Sequence, residues 1–97
     1  MILEHVLLHI KPGQRQSFEA DFALASQYIR SIDGYLTHQL YRLCEEEGGY
    51  LLLVKWKNIE AHQIGFRTSV AYQEWKKLLH HYYDPFPKVD YYEEVVC

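Results

Sequence analysis

The spacing of the hydrophobic residues switches between two periods along this chain, and that alternation limits the possible folds more than any other feature. Residues 2–10, 35–43, 50–57 and 88–96 alternate apolar positions with a period of two, as β-strands do. The segments between them repeat apolar residues every three or four positions, which is typical of amphipathic helices. The sequence therefore predicts the element order β-α-β-β-α-β.

The boundaries of these elements are marked by residues that begin or end regular structure. The first helix is predicted over residues 13–32, and Gly34 just after it is a stop signal. Its apolar stripe is formed by Phe18, Phe22, Ala25, Ile29 and Ile32. EEEGG is predicted to form the hairpin turn between the second and third strands. Asn58 is a good N-cap for a short helix over residues 59–65. A second long helix is predicted to begin near Ser69, with an apolar stripe formed by Tyr72, Trp75, Leu78, Leu79 and Tyr82.

This element order predicts a single α+β domain over residues 1–97, a ferredoxin-like antiparallel sheet with helices on one face. The opposite face would be bare, with leucines and two histidines on it: Leu3, Leu7, Leu51, Leu53, His5 and His9. A second copy of the same sheet is the natural cover, so we expect a homodimer that closes into an α/β barrel. The histidines are about 13 Å apart along the strand, so we predict no metal site. His38 would join them only if its side chain pointed inward.

Composition excludes several classes of function. The formal net charge is −3 and basic residues are not clustered, which argues against a nucleic-acid partner. No stretch reaches the roughly 20 apolar residues of a membrane span, and the first ten residues do not have the pattern of a signal peptide. Two cysteines, Cys44 and Cys97, are too few for a disulfide scaffold. We therefore expect a cytoplasmic protein.

The segment that begins at Trp56 resembles the antibiotic biosynthesis monooxygenase family. In that family a strand ends in tryptophan, followed by a polar cap, a Glu-Ala pair, a short helix and an aromatic-bearing helix. Here these are Trp56, Asn58, Glu60-Ala61 and the helix with Tyr72 and Trp75. The resemblance implies a dimeric α/β barrel and, among its enzymes, cofactor-independent oxygenases of electron-rich aromatics.

The sequence departs from the family pattern in two places, and these departures limit which of the family's activities we expect. Many relatives carry histidine nine residues after the strand-end tryptophan, where this chain has Gly65. The haem-degrading branch needs an asparagine, a tryptophan and a histidine where ungapped alignment places Val6, Gly65 and Trp75. We therefore disfavour haem degradation and expect no cofactor.

Two residues are candidates for catalysis. His62, on the short helix, could act as a base or hydrogen-bond donor near neutral pH, or could be a half-buried polar residue with no role. Arg67 could hold a phenolate, enolate or carboxylate at a pocket mouth, or could be a solvated loop charge. The predicted substrate-binding residues are aromatic: Trp56, Tyr72, Trp75 and Phe86. The aromatic helix residues could equally be core, and Phe86 could belong only to a rigid turn.

Two classes of function follow. The first is a monooxygenase that acts on a small phenolic or quinol-like aromatic molecule and oxygen. The second is a non-catalytic dimeric module, binding a small apolar ligand or related to stress. The absence of the family histidine at Gly65 favours the second class. A purely structural dimer would have a filled interior.

Overall fold

A computed structural model describes residues 1–97 and confirms the predicted order of strands and long helices. Its four strands form one antiparallel sheet in the order β2-β3-β1-β4, with both helices on one face. The elements are β1 Ile2–His9, α1 Arg15–Arg30, β2 Tyr35–Arg42, β3 Gly49–Trp56, a π-helix Ala61–Phe66, α2 Val70–Leu79, a 3-10 turn His80–Tyr82 and β4 Val89–Tyr92. The ferredoxin-like α+β fold is therefore confirmed.

Local chemistry explains where the elements begin and turn. The predicted start of α2 is confirmed, because the Ser69 hydroxyl accepts the backbone N–H of Tyr72 at 3.0 Å. Asn58 caps the short helix through its Oδ1, which accepts the N–H of Ala61 at 2.9 Å. At the β2–β3 hairpin, Gly48 has φ +91°, and an added Cβ would lie 2.8 Å from the carbonyl oxygen of Ile10. Only glycine fits there.

The hydrophobic core lies between the sheet and the two helices. The helix-facing side chains of β1 and β3 alternate along each strand as the period of two requires. The most completely buried large side chains are Trp56, Phe18, Phe66, Leu8, Ile29, Leu79 and Val54. The predicted stripe of α1 is also buried, except that Ile32 lies just beyond the helix and is half-buried.

The structure corrects three details of the predicted elements. A β-bulge between Tyr35 and Thr37 turns the Tyr35 ring toward the helices, against Trp56, so the predicted alternation of residues 35–43 does not hold at Tyr35. The α-helical part of α2 ends at Leu79, and a 3-10 turn carries Tyr82 into the core. β4 is shorter than predicted and ends at Tyr92, because exposed glutamates follow it and such residues are poor strand formers.

His38 lies on the helix side of the sheet and does not join His5 and His9. Its Nε2 lies 3.1 Å from the hydroxyl of Ser26, which itself donates to the carbonyl of Phe22. Its Nδ1 lies 2.5 Å from the hydroxyl of Tyr35. The Ser26 proton is thus already used, and His38 is a satisfied structural histidine.

The other face of the sheet carries no protein atoms over it. Leu7 is 56% exposed there, and Tyr41 and Tyr92 are also exposed. Leu51 pairs with Leu7 and Leu53 with His5 in the β1–β3 ladder, so both leucines lie on this same face. We call it the bare face. Separately, none of the helices is long and apolar enough to cross a membrane.

Candidate functional site

A cavity of about 70 Å³ lies between the sheet and α2, and it is the strongest candidate for a functional site. One water needs roughly 10–15 Å³, so the space exceeds what a buried water requires. Ten of its fifteen lining residues are hydrophobic. The polar lining residues are Glu4, His62, Arg67 and His80, and the aromatic ones include Phe66, Tyr72, Trp75, Tyr83 and Phe86.

The π-helix brings His62 into this cavity. A π-helix has a wider turn than an α-helix, and such turns often occur at functional sites. Here both His62 and Phe66 are buried on the same side of the element. Their rings lie 5.3 Å and 5.9 Å from the Trp56 ring, measured between centroids. The strand-end tryptophan therefore fixes the position of the imidazole.

Glu4 is the residue that the sequence reasoning missed. It occupies a helix-facing position of β1 and is only 5% exposed, although carboxylates are almost never buried without a partner. The indole N–H of Trp56 donates to Glu4 Oε1 at 2.9 Å. The signal was present in the sequence, since Glu4 has the same strand parity as Val6 and Leu8.

Glu4 and His62 form a buried pair inside the cavity. His62 Nε2 lies 3.5 Å from Glu4 Oε2, and His62 Nδ1 is hydrogen-bonded to the hydroxyl of Tyr91. Burial raises the pKa of Glu4 to about 7, whereas the Trp56 hydrogen bond and the charge of Arg67 lower it. Burial also lowers the pKa of His62 to about 4, helped by Arg67. Near neutral pH the imidazole is therefore uncharged, and the carboxyl group is close to its titration midpoint.

This pair predicts a measurable pH dependence of stability. Because the folded pKa of Glu4 is raised from 4.5 to about 7, its stabilising contribution is fully present below pH 4.5 and is lost as the pH rises through 7. We expect the Glu4→Gln variant to lack this loss, so it should gain about 3 kcal/mol relative to wild type between those pH values. Urea unfolding at a series of pH values measures the difference.

His62 acts in the opposite direction and provides the internal check. Its folded pKa is lowered from 6.5 to about 4, so its contribution is present above pH 6.5 and is lost as the pH falls toward 4. The two contributions oppose each other over nearly the same pH window, so wild-type stability should change little between pH 4.5 and 6.5. Glu4→Gln keeps only the His62 contribution and should therefore lose stability as the pH falls from 6.5 toward 4. Parallel stability curves for the two proteins would contradict the assignment.

The structure brings most of the predicted site residues together. Arg67 lies at the exposed edge of the cavity, and Tyr72 and Trp75 form its α2 wall. Phe86 also lines it and is 65% exposed, so its ring lies at the cavity mouth. Trp56 is fully buried and is not a lining residue, and it supports the cavity from behind through its bond to Glu4 and its contacts with the His62 and Phe66 rings.

Besides Glu4, two lining residues with polar side chains were not predicted, and both follow α2. His80 and Tyr83 have ring centroids 5.7 Å apart, and each ring also contacts Phe86. Burial raises the pKa of Tyr83, so its hydroxyl stays protonated and can donate a hydrogen bond.

Other features of the sequence lie outside the cavity. Gly65, at the position of the family histidine, is exposed and does not line it. No group of three or more His, Cys, Asp or Glu side chains is arranged to hold a metal ion. Cys44 and Cys97 are free and exposed.

The fold and the cavity define a class: small ferredoxin-like α+β proteins with an aromatic-walled pocket between sheet and helices. Residues 1–78 match the antibiotic biosynthesis monooxygenase family. The chain belongs to this family, as its strand-end tryptophan and aromatic helix had indicated.

Similar proteins agree with this assignment. The chain is 48% identical over 95 residues to the uncharacterized protein YczJ of Bacillus subtilis, covering 98% of this chain and 100% of YczJ. A crystal structure from Bordetella bronchiseptica, named as belonging to the same family, has a TM-score of 0.92 at 30% identity and covers 98% of this chain and 97% of its own. SnoaB, a cofactor-independent oxygenase from Streptomyces nogalater, shares the fold, with a TM-score of 0.82 at 14% identity over 99% and 95% of the two chains.

Proposed function

We propose that this protein is a cofactor-independent monooxygenase of a small phenolic or quinol-like aromatic molecule. The observation that carries the proposal is the buried Glu4–His62 pair inside an aromatic-walled cavity. Titratable groups whose pKa values are shifted by burial concentrate at catalytic sites, and a cavity of this kind is the usual place for a substrate. Family membership and the fold shared with SnoaB support the same class of reaction.

The reaction needs only the substrate and oxygen. The substrate loses a proton, and the resulting electron-rich anion forms a carbon–oxygen bond with O₂. Cleavage of the O–O bond then leaves one oxygen on the ring and releases the other as water. For a phenol, the product is a quinone: four electrons pass from the ring to O₂, and the ring loses two hydrogens and gains one oxygen. The protein supplies a proton acceptor, a cation near the anion and a site that excludes water.

The size of the cavity limits the substrate. An apolar cavity of roughly 150 Å³ accepts benzene, about twice the space present here. A single aromatic ring therefore fits only if a wall residue moves, and the exposed Phe86 ring is the one free to do so. We infer a substrate with one ring in the cavity, placed between Tyr72 and Trp75.

Arg67 is proposed to hold the anion that forms. It is exposed at the cavity edge, and its charge acts on Glu4, His62, Tyr72 and Tyr91. We expect Arg67→Ala to lower the rate of oxygen uptake with a panel of hydroquinones by about 10²-fold, the size expected when one stabiliser of a developing anion is removed. The melting temperature should change little, because Arg67 is solvated.

An oxygen electrode and a thermal melt measure both quantities on the same samples. Lys77→Ala is the matched control, since Lys77 is an exposed cation of α2 outside the cavity. Equal losses of activity and stability in Arg67→Ala would assign the arginine a structural role. Thermal stabilisation by hydroquinones with no oxygen uptake would instead favour the non-catalytic binding module.

We also propose that the active form is a homodimer in the cytoplasm. The chain is 48% hydrophobic and 15% aromatic, and the bare face leaves much of this surface uncovered. A second copy would cover that face and complete an α/β barrel. The free, exposed cysteines are compatible with a reducing compartment.

A further inference from the structure

The carboxylate of Glu4 is in an unusual position for a residue with only a structural role. The other helix-facing residues of β1 are all apolar: Ile2, Val6 and Leu8. A buried carboxylate is costly unless its oxygens are hydrogen-bonded. Glu4 also lines the cavity, where a bound molecule would touch it.

The hydrogen bonds around Glu4 indicate what His62 does. A neutral imidazole carries a single ring proton, on one of its two nitrogens. If the Tyr91 hydroxyl donates to Nδ1, the proton is on Nε2 and faces Glu4 Oε2, 3.5 Å away. The carboxylate then accepts the N–H of Trp56 at 2.9 Å, and the N–H of His62 lies on its other oxygen's side. We assign this tautomer because the opposite one would turn a lone pair toward the carboxylate.

We propose that Glu4 is the proton acceptor of this site, that His62 is a positioning residue, and that the substrate class is neutral phenols rather than aromatic carboxylates. This inference rests on the proposed function and deepens it. The phenol O–H bond breaks, the proton moves to a carboxylate oxygen of Glu4, and the electron pair stays on the phenol oxygen and delocalises into the ring.

The charges of the site balance in this step. Before transfer, the ionised Glu4 faces Arg67, and a neutral phenol adds no charge to the cavity. After transfer, Glu4 is neutral and the phenolate faces Arg67, so the net charge is unchanged. An aromatic carboxylate would instead bring a second negative charge beside Glu4, which the low-dielectric cavity disfavours.

The raised pKa of Glu4 suits it to this task. A carboxylate of ordinary pKa is a weak base toward a phenol of pKa near 10. Burial brings the pKa of Glu4 to about 7, which is much closer to that of a phenol, and Arg67 stabilises the product anion. The titratable or charged groups that act on this pair come from every element around it: His62, Arg67, Tyr72, Tyr83 and Tyr91.

A chromophoric phenol tests the inference without any oxygen chemistry. The probe is a nitrophenol whose own pKa lies above the assay pH, and the assay pH is above about 7, where Glu4 is ionised. Under anaerobic conditions we expect wild type to bind it with the absorption band of the phenolate. Infrared difference spectra of the same sample should show a newly protonated carboxyl group, a measurement that needs no variant.

Two variants separate the roles of the pair. Glu4→Gln should bind the probe in its neutral form, and its oxygen uptake should fall by about 10²–10⁴-fold, the usual contribution of a general base. His62→Gln should keep the phenolate band but move its pH midpoint. A phenolate band that persists in Glu4→Gln, or that disappears only in His62→Gln, would overturn the assignment.

The remaining outcomes also decide the question. A wild-type protein that binds the nitrophenol without a new carboxyl signal, fails to bind it, or prefers a nitrobenzoate of the same size overturns the inference. A phenolate band with no oxygen uptake in wild type would overturn the proposed oxygenase reaction alone. Undiminished oxygen uptake in Glu4→Gln would overturn the role of Glu4 alone.

Discussion

Replacing Leu7 by glutamate is expected to weaken self-association by about 1,000-fold or more and to leave a folded monomer. Leu7 is 56% exposed in the single chain, so a charge there costs the monomer little. In a two-fold symmetric dimer built on the bare face, the introduced glutamates of both copies would be buried. An unpaired buried charge costs several kcal/mol, and about 4 kcal/mol corresponds to a 1,000-fold change in affinity. Sedimentation velocity over a range of concentrations measures the change.

Leu24→Glu is the matched control for this experiment. Leu24 lies on α1, away from the bare face, and is 57% exposed, almost the same as Leu7. The Leu24→Glu variant should have the same sedimentation coefficient as wild type. A wild-type protein that sediments as a monomer at micromolar concentration would refute the dimer, and so would equal dissociation of both variants.

Substituting Trp56 by phenylalanine is expected to lower the free energy of unfolding by about 2–4 kcal/mol. The change removes the indole N–H that donates to Glu4 Oε1, and a buried acceptor left unpaired costs roughly 1–3 kcal/mol. The smaller ring also leaves a void under His62 and Phe66, which adds about 1 kcal/mol. Chemical denaturation above pH 7, where Glu4 is ionised, measures the loss.

Two comparisons isolate the hydrogen bond in that loss. Trp75→Phe removes a buried indole that makes no bond to Glu4, so it should lower the free energy of unfolding only by the cost of the smaller ring. In a Glu4→Leu background, Trp56→Phe should cost less than its lost volume alone, since it also removes the buried indole N–H that Glu4→Leu leaves without an acceptor. The same cost in all three cases would mean that the Trp56–Glu4 bond contributes nothing to stability.

The sequence predicted the elements well wherever one physical rule controlled them. The alternation in β1 and β3, the Ser69 cap and the glycine-rich hairpin are local features, and the structure confirms each. The predicted alternation of β2 fails at Tyr35, because a bulge interrupts the strand there and the spacing of apolar residues does not reveal a bulge. The π-helix depends on the fit of His62 and Phe66 to Trp56, not on local propensity.

The sequence predicted the site residues that lie on or near α2 but missed those on the strands. Arg67, Tyr72 and Trp75 were found because helical spacing and their side-chain chemistry single them out. Glu4 was missed because the apolar pattern of β1 is carried by residues such as Val6 and Leu8, and an acidic residue on the same face does not belong to that pattern. Tyr91 could not have been found, since its contact with His62 depends on how β4 pairs with β1.

The pairing of β4 with β1 links assembly of the sheet to assembly of the acid–imidazole pair. Glu4 and Tyr91 are direct partners in this ladder, which consists of only four residue pairs. A slip of one residue would turn Tyr91 to the opposite face and leave His62 Nδ1 without its partner. Insertions in the connection before β4 are therefore tolerable only where they preserve this alignment, although β4 is the shortest strand of the sheet.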